Sequence, residues 1–182
     1  IASLNPVIFY LTPYVAPTTP PPSGNTNQEL PSYKTGNFKN SYAVYQGPGE
    51  DYYRVSKATY GGGGSARIYG TDGDWLLIGY ETGKGDYRVG YIHNYTLPSK
   101  ISASSLQPLT YAWVETTVTA KCVVTDDPVI NMKELETLPE GTQVTFMAWV
   151  SSKHRWAMIE YNSSRFGKIR AFVKGSYLAC MK

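Results

Sequence analysis

A chain of 182 residues, 42% of them hydrophobic, can bury a core, which excludes a protein disordered throughout. Only 17% of the residues are charged, against 16 tyrosines, 17 glycines and 12 prolines; that mixture fits short strands and turns and argues against a helical bundle, which needs Ala, Leu, Glu and Lys at helical spacing. The formal net charge is +3, and the densest basic stretch holds only Arg165, Lys168 and Arg170, the pattern of a solvated strand face rather than of a nucleic-acid surface.

The first apolar run, Val7-Ile8-Phe9-Tyr10-Leu11 between Pro6 and Pro13, is one strand long. A spanning helix needs about 20 apolar residues, so no membrane span is expected. The run is either the tail of an upstream module or a strand added to a later one. A start at Ile1 rather than Met reads as a processed or trimmed product. Residues 13–32 are rich in Pro and Thr, with Thr18-Thr19-Pro20-Pro21-Pro22 at their centre. Consecutive prolines hold the backbone stiff and extended and offer a sheet no donors. Residues 1–35 therefore read as an N-terminal strand followed by a Pro-rich strap or linker.

From Gly36 the pattern changes to short strands. Tyr42-Ala43-Val44-Tyr45 is one, ended by Gly47-Pro48-Gly49. The run Gly61 to Gly64 loses too much backbone entropy to sit in an element and is loop. Ala66–Tyr69 and Trp75–Tyr80 flank Gly70-Thr71-Asp72-Gly73-Asp74, and an Asp-Gly pair between two such runs predicts a hairpin. A second hairpin turns through Glu81 to Asp86 and returns along Tyr87-Arg88-Val89-Gly90-Tyr91-Ile92. Strands this close together without crossover helices predict a small antiparallel barrel or sandwich. Further on, Asn131-Met132-Lys133-Glu134 has the form of a capping box, so one helical turn or an insertion loop belongs there.

The plan recurs. Trp75 to Leu97 and Trp156 to Leu178 superpose without a gap at an offset of 81, placing Trp75 on Trp156, Ile78 on Ile159, Tyr80 on Tyr161 and Tyr91-Ile92 on Phe172-Val173. Leu138-Pro139-Glu140-Gly141 precedes a strand where the glycine run precedes Arg67-Ile68-Tyr69. The chain thus reads as two copies of one module, residues 36–99 and 110–182, and repetition of this kind belongs to binding modules more often than to single-site enzymes.

Three segments carry a resemblance: Ala43-Val44-Tyr45-Gln46-Gly47-Pro48-Gly49, Asp74-Trp75-Leu76-Leu77-Ile78 and Arg88-Val89-Gly90-Tyr91-Ile92. They resemble bacterial SH3 (SH3b) domains, in which a strand enters a Gly-Pro-Gly turn, a hairpin leads to a W-x-x-I strand, and a G-Y-I strand closes a small barrel. The second copy departs from this pattern. It has Val124-Thr125-Asp126-Asp127-Pro128 for the turn and Ala171-Phe172-Val173 for the closing strand. The resemblance implies an all-β fold of two small SH3-like antiparallel barrels with a Pro-rich N-terminal extension. It also implies an extracellular or cell-envelope setting, where such domains bind peptidoglycan or protein partners.

No catalytic constellation emerges. His93 and His154 are the only histidines; each lies in a polar turn, and neither stands beside a Ser or Cys in the arrangement nucleophilic catalysis requires. With Cys122 and Cys180 they form no clustered set for a metal. Asp72/Asp74 and Asp126/Asp127 have the right type for glycosidase carboxylates, but turn aspartates usually bond their own backbone. No Gly-Lys-Ser/Thr follows the glycine run, so it is not a phosphate loop. The expectation is a non-enzyme without a cofactor, with a catalytic domain upstream left open.

Binding chemistry is better represented. Tyrosine offers a large rigid area with a hydroxyl at its tip, and Asp51-Tyr52-Tyr53-Arg54 follows the Gly-Pro-Gly turn. Adjacent strand residues point to opposite faces, so one of Tyr52 and Tyr53 is expected outside. A groove lined by Asp51, Tyr52 or Tyr53, Tyr80, Tyr87 and Tyr95 is the candidate ligand site; the competing reading packs these rings into the barrels. Trp75 and Trp156 read as core or semi-core anchors. Cys122 and Cys180 lie near the first and last strands of the second copy and stand either as a disulfide or as two buried thiols. The leading functional reading is a non-catalytic module that binds bacterial cell wall, peptidoglycan or a wall glycopeptide, and anchors a secreted assembly. The alternative is a scaffold that grips a peptide of a protein partner or the chain's own segment 17–22.

Overall fold

The computed structural model describes residues 24–38, 40, 42–60, 65–83, 86–126, 128, 134–151 and 156–181. The run Val7–Leu11, the prolines at 20–22, the glycines at 61–64, residues 131–133, Asp127 and His154 lie outside them.

The described chain is all-β. β1 (Lys34–Asn37), β2 (Tyr42–Tyr45), β3 (Arg54–Tyr60), β4 (Ser65–Asp72), β5 (Trp75–Gly83) and β6 (Asp86–His93) build one sheet. β7 (Val114–Thr117), β8 (Cys122–Thr125), β9 (Glu134–Leu138), β10 (Gln143–Ser151), β11 (Trp156–Ser163) and β12 (Gly167–Lys174) build the other. Both are six-stranded, in the orders β1-β4-β5-β6-β2-β3 and β7-β10-β11-β12-β8-β9. The second order is the first with every strand number raised by six.

The offset of 81 holds at the level of pairing. Trp75 faces His93 and Leu77 faces Tyr91, while Trp156 faces Lys174 and Met158 faces Phe172. A bulge between Ile68 and Gly70 returns between Phe146 and Ala148. Two corrections follow. Among the described residues no pairing joins β1 to β3 or β7 to β9, so the sheets are open where closed barrels were expected. The capping box at 131–134 lies mostly outside the described residues, but the residues after it are not helical: Glu134–Leu138 is a strand, and β8 pairs with it from Cys122↔Leu138 to Thr125↔Glu134.

Each sheet covers its own core. In the first, Val44, Ile68, Leu76, Ile78, Tyr80 and Ile92 meet; in the second, Val124, Phe146, Ile159, Tyr161, Ile169 and Val173 do. Gly90 is required by close approach, because a Cβ there would stand 2.5 Å from Val44 Cγ1.

The other face of each sheet is also covered, by the other sheet. Leu77, Val89 and Tyr91 pack with Met147, Met158 and Phe172 around Leu109 and Tyr111 of the connecting segment. By the repeat offset, Leu77 and Tyr91 correspond to Met158 and Phe172, so the duplicated face meets its own duplicate. Burial on both faces explains why Trp75-Leu76-Leu77-Ile78 and Trp156-Ala157-Met158-Ile159 are continuous apolar runs instead of alternating ones. The segment before β1 spans both sheets. Leu30 N donates to Trp149 O at 3.0 Å and Trp149 N to Gln28 O at 2.8 Å, Trp149 Nε1 donates to Thr26 O at 2.8 Å, and the chain then enters β1 of the first sheet.

Candidate functional site

The residues expected to form one groove do not converge. Asp51 is exposed in the turn after Gly47-Pro48-Gly49. Tyr52 lies over Gly47, where a Cβ would collide with its ring, and its hydroxyl donates to Glu160 Oε2 across the sheet boundary at 3.2 Å. Tyr53 packs on Phe166 with ring centroids 4.5 Å apart, against the second sheet's core. These two tyrosines join the modules because both project from the β2–β3 turn toward β11 and β12. Tyr80 is 3% exposed in the first core, since it alternates in phase with Leu76 and Ile78. The Tyr87 side chain lies outside the described ones. Tyr95 is on the surface, 77% exposed.

Between the sheets sits a polar lock. Arg170, expected on a solvated strand face, is buried with its side chain 4% exposed. Its Nε donates to Glu160 Oε2 at 2.8 Å. One terminal nitrogen donates to Asp72 Oδ2 at 2.7 Å and to the Tyr91 hydroxyl at 2.7 Å. The rings of Tyr111 and Trp113 lie 4.9 and 5.5 Å from the guanidinium carbon, within cation–π range. Asp72, expected to bond its own turn, is thus a cross-module partner. A second cross-module pair joins Arg88 to the fully buried Asp126 at 3.3 Å. Burial alone would raise the Glu160 pKa, but the charge and hydrogen bond of Arg170, with those of Lys168, hold it below its ordinary value. Burial pushes the Tyr91 phenol up to about 12. Around Arg170 the guanidinium, Glu160, Asp72 and the Tyr91 hydroxyl are occupied by one another, the arrangement of a structural lock.

What the structure does bring together at an accessible place is a ladder of rings. β2 pairs with β6 at Tyr45↔Tyr91 and β5 with β6 at Trp75↔His93, so Tyr45, Trp75 and His93 share one face at one end of the sheet. Centroids are 5.4 Å apart from Tyr45 to Trp75 and 5.4 Å from Trp75 to His93. A 3-10 turn, Asn94–Thr96, then stacks Tyr95 on His93 with centroids 4.3 Å apart and planes inclined by 30°. Local bonds hold that turn: Tyr95 N donates to His93 Nδ1 at 3.3 Å and Thr96 Oγ1 to His93 O at 2.6 Å. With Nδ1 accepting, neutral His93 carries its proton on Nε2, pointing away from the turn.

The equivalent place on the second sheet is a recess. Thr125 stands where the first copy has Tyr45, Lys174 for His93, and Ser176 for Tyr95. Without the ring at 125, a cavity of about 500 Å³ opens, lined by Lys121, Val123, Thr125, Glu134, Thr137, Trp156, Lys174 and Tyr177 among others. Cys122, on its wall, is a free thiol whose pKa burial raises. Cys180 is free as well, so the bridge weighed between them is not formed.

No family model matches the chain, and no curated protein matches it. Among the described residues, no group of three or more His, Cys, Asp or Glu lies together in a way that could hold a metal, and no helix is long and apolar enough to cross a membrane. Of the residues expected in the groove, Tyr95 is the one that belongs to this ladder; Tyr45, Trp75 and His93 were not among them. The missed signal was hairpin symmetry: Trp75 and His93 stand equally far from the centre of the second hairpin, which makes them cross-strand neighbours.

Proposed function

We propose that the chain is a non-catalytic tandem binding module of the bacterial SH3 type that attaches a secreted assembly to the bacterial cell wall. The Tyr45–Trp75–His93–Tyr95 ladder is its contact surface. That ladder is the observation behind the reading: four rings in sequence, the outermost 77% exposed. Ring faces stack on the apolar faces of sugars and on peptide planes at low entropic cost, while the Tyr95 hydroxyl and His93 Nε2 supply polar contacts. The bacterial SH3 assignment draws support from its three motifs falling on adjacent parts of one sheet, β2, β5 and β6.

Sedimentation with purified peptidoglycan tests it. The full chain is expected in the pellet, and Tyr95→Ala is expected to lower the bound fraction at least severalfold. Pelleting that ignores both Tyr95→Ala and Tyr45→Thr removes the ladder from the account. The scaffold reading has one observation in its favour. The stretch that continues the proline run is hydrogen-bonded to the rest of the chain, with Gly24 N donating to Ala112 O at 3.1 Å and Thr26 O accepting from Trp149 Nε1. A chain that never pellets with wall, but binds an added peptide of sequence 17–22, would favour that reading instead.

A further inference from the structure

We infer that the recess on the second sheet is a separate site for a short extended peptide bearing a free carboxylate. The site arises from register. β12 pairs with β8 at Phe172↔Thr125, so Lys174 and Trp156 share a face with Val123 and Thr125, two residues apart along β8, and Lys121, just before β8, lines the same recess. In the first copy this space is taken by Tyr45 against Trp75; the threonine hydroxyl at 125 leaves it open.

Three features define the occupant. Charge comes first: among the described lining residues, Lys121 and Lys174 are both exposed on the recess wall against one carboxylate, that of Glu134. Among the described residues no ion pair is formed by Lys121 or Lys174. Lysines are point charges without the fork of arginine, which suits a single anionic group more than a phosphate cluster. The second feature is apolar. Val123 is 38% exposed, one of three large hydrophobic residues exposed among the described ones, and Trp156 lines the recess beside it. The third is the edge. Among the described residues β9 ends its sheet, with Glu134 and Thr137 on the recess, the kind of edge to which an extended peptide adds as a strand. A volume of about 500 Å³ falls in the range of small-ligand sites and accommodates a few residues, not a folded partner. The recess and the ladder are on different sheets, and this inference does not depend on the wall-binding reading.

The test is a titration of the full, isotope-labelled chain, followed by backbone amide shifts. The probes are acetyl-Ala-Ala-Ala with a free carboxylate, the same peptide with a terminal amide, and inorganic phosphate. The free acid is expected to shift Val123, Thr125, Thr137 and Lys174 together. The amide is expected to bind roughly five-fold more weakly, and Lys174→Gln to bring the acid down by about the same factor, as for an exposed ion pair. Tyr95→Ala is expected to change nothing. Thr125→Tyr, which installs the first copy's residue, is expected to abolish the shifts while the rest of the spectrum stays folded. Equal binding of acid and amide, shifts located elsewhere, or no shifts with any probe would overturn the proposal. Phosphate acting as well as the acid at the same amides would overturn its peptide part and leave only an anion site.

Discussion

At the centre of the boundary between the sheets, the first copy carries Gly79 and Val89, and the second carries Glu160 and Arg170 at the same repeat positions. At the outer end of the same face the contrast reverses: the first copy has the rings of Tyr45 and Tyr95, the second Thr125 and Ser176. The strands, the bulge and the pairing register are shared, so neither difference comes from the fold. A duplicated face that packs on its duplicate brings like groups together, and two arginine–glutamate pairs meeting there would set like charges against each other in a low dielectric. Charging one copy and leaving the other to supply Tyr91 and Asp72 as acceptors removes that conflict. The ends of the face, free of this constraint, diverged into a ridge and a recess.

The largest effect is expected from erasing the central asymmetry. Arg170→Val makes the second copy like the first, but leaves Asp72 without its cation and Glu160, 9% exposed, with Lys168 alone at 2.9 Å. Removing one partner of a buried pair costs about 3–5 kcal/mol; with Asp72 26% exposed and Lys168 still on Glu160, the lower end is expected, to be read from urea denaturation. The double variant Arg170→Val/Glu160→Gly should cost less than the sum of the singles. Strict additivity would mean that the two residues act separately and that the lock is not a unit.

Next in size is a pH effect. Burial holds Tyr91 protonated to about 12, against the ordinary 10.0. The folded chain therefore keeps a proton that the unfolded chain has lost. Its contribution is complete below pH 10 and disappears as the pH rises through 12, a loss on the order of 2 kcal/mol. Tyr91→Phe, matching Phe172 of the second copy, should start less stable at neutral pH, having lost the bond from Arg170, yet fall less steeply in that window. An unchanged alkaline slope in this variant would place the titration elsewhere.

The shared part of the comparison was legible in the sequence and the unshared part was not, for a physical reason. The offset of 81 depends on local apolar pattern and turn chemistry, and it became register: Gly73, with φ of 59°, turns β4 into β5 where the Asp-Gly pair predicted a hairpin. What covers a sheet's second face is not a local property. Tyr52 and Tyr53 looked like ligand residues and Arg170 like a solvated one because nothing near them in sequence announces a partner sheet. The one available hint was the unbroken apolar run at Trp75–Ile78, longer than a half-exposed strand requires.

A smaller effect tests closeness of packing in the two copies. Gly90→Ala would place a methyl 2.5 Å from Val44 Cγ1 and 3.2 Å from Tyr45 O, an overpacking worth about 1–3 kcal/mol. The second copy already holds Ala171 at that position, so Ala171→Gly should cost under about 1 kcal/mol, mostly in backbone entropy. Equal costs would mean that β2 and β8 approach their neighbours alike and that the glycine is incidental.

The smallest effect on stability should come with a large effect on binding. Tyr95 is 77% exposed, and its ring meets His93 at 4.3 Å, while the bond that orders the turn runs from its backbone nitrogen to His93 Nδ1. Removal of the ring leaves that bond in place, so Tyr95→Ala should move the unfolding free energy by no more than about 0.5 kcal/mol. A ring with so little part in the fold is free to serve an external surface. Were the variant to lose appreciably more, Tyr95 would be a brace for the turn, and the ridge of the first copy would owe its rings to folding, as its buried tyrosines do.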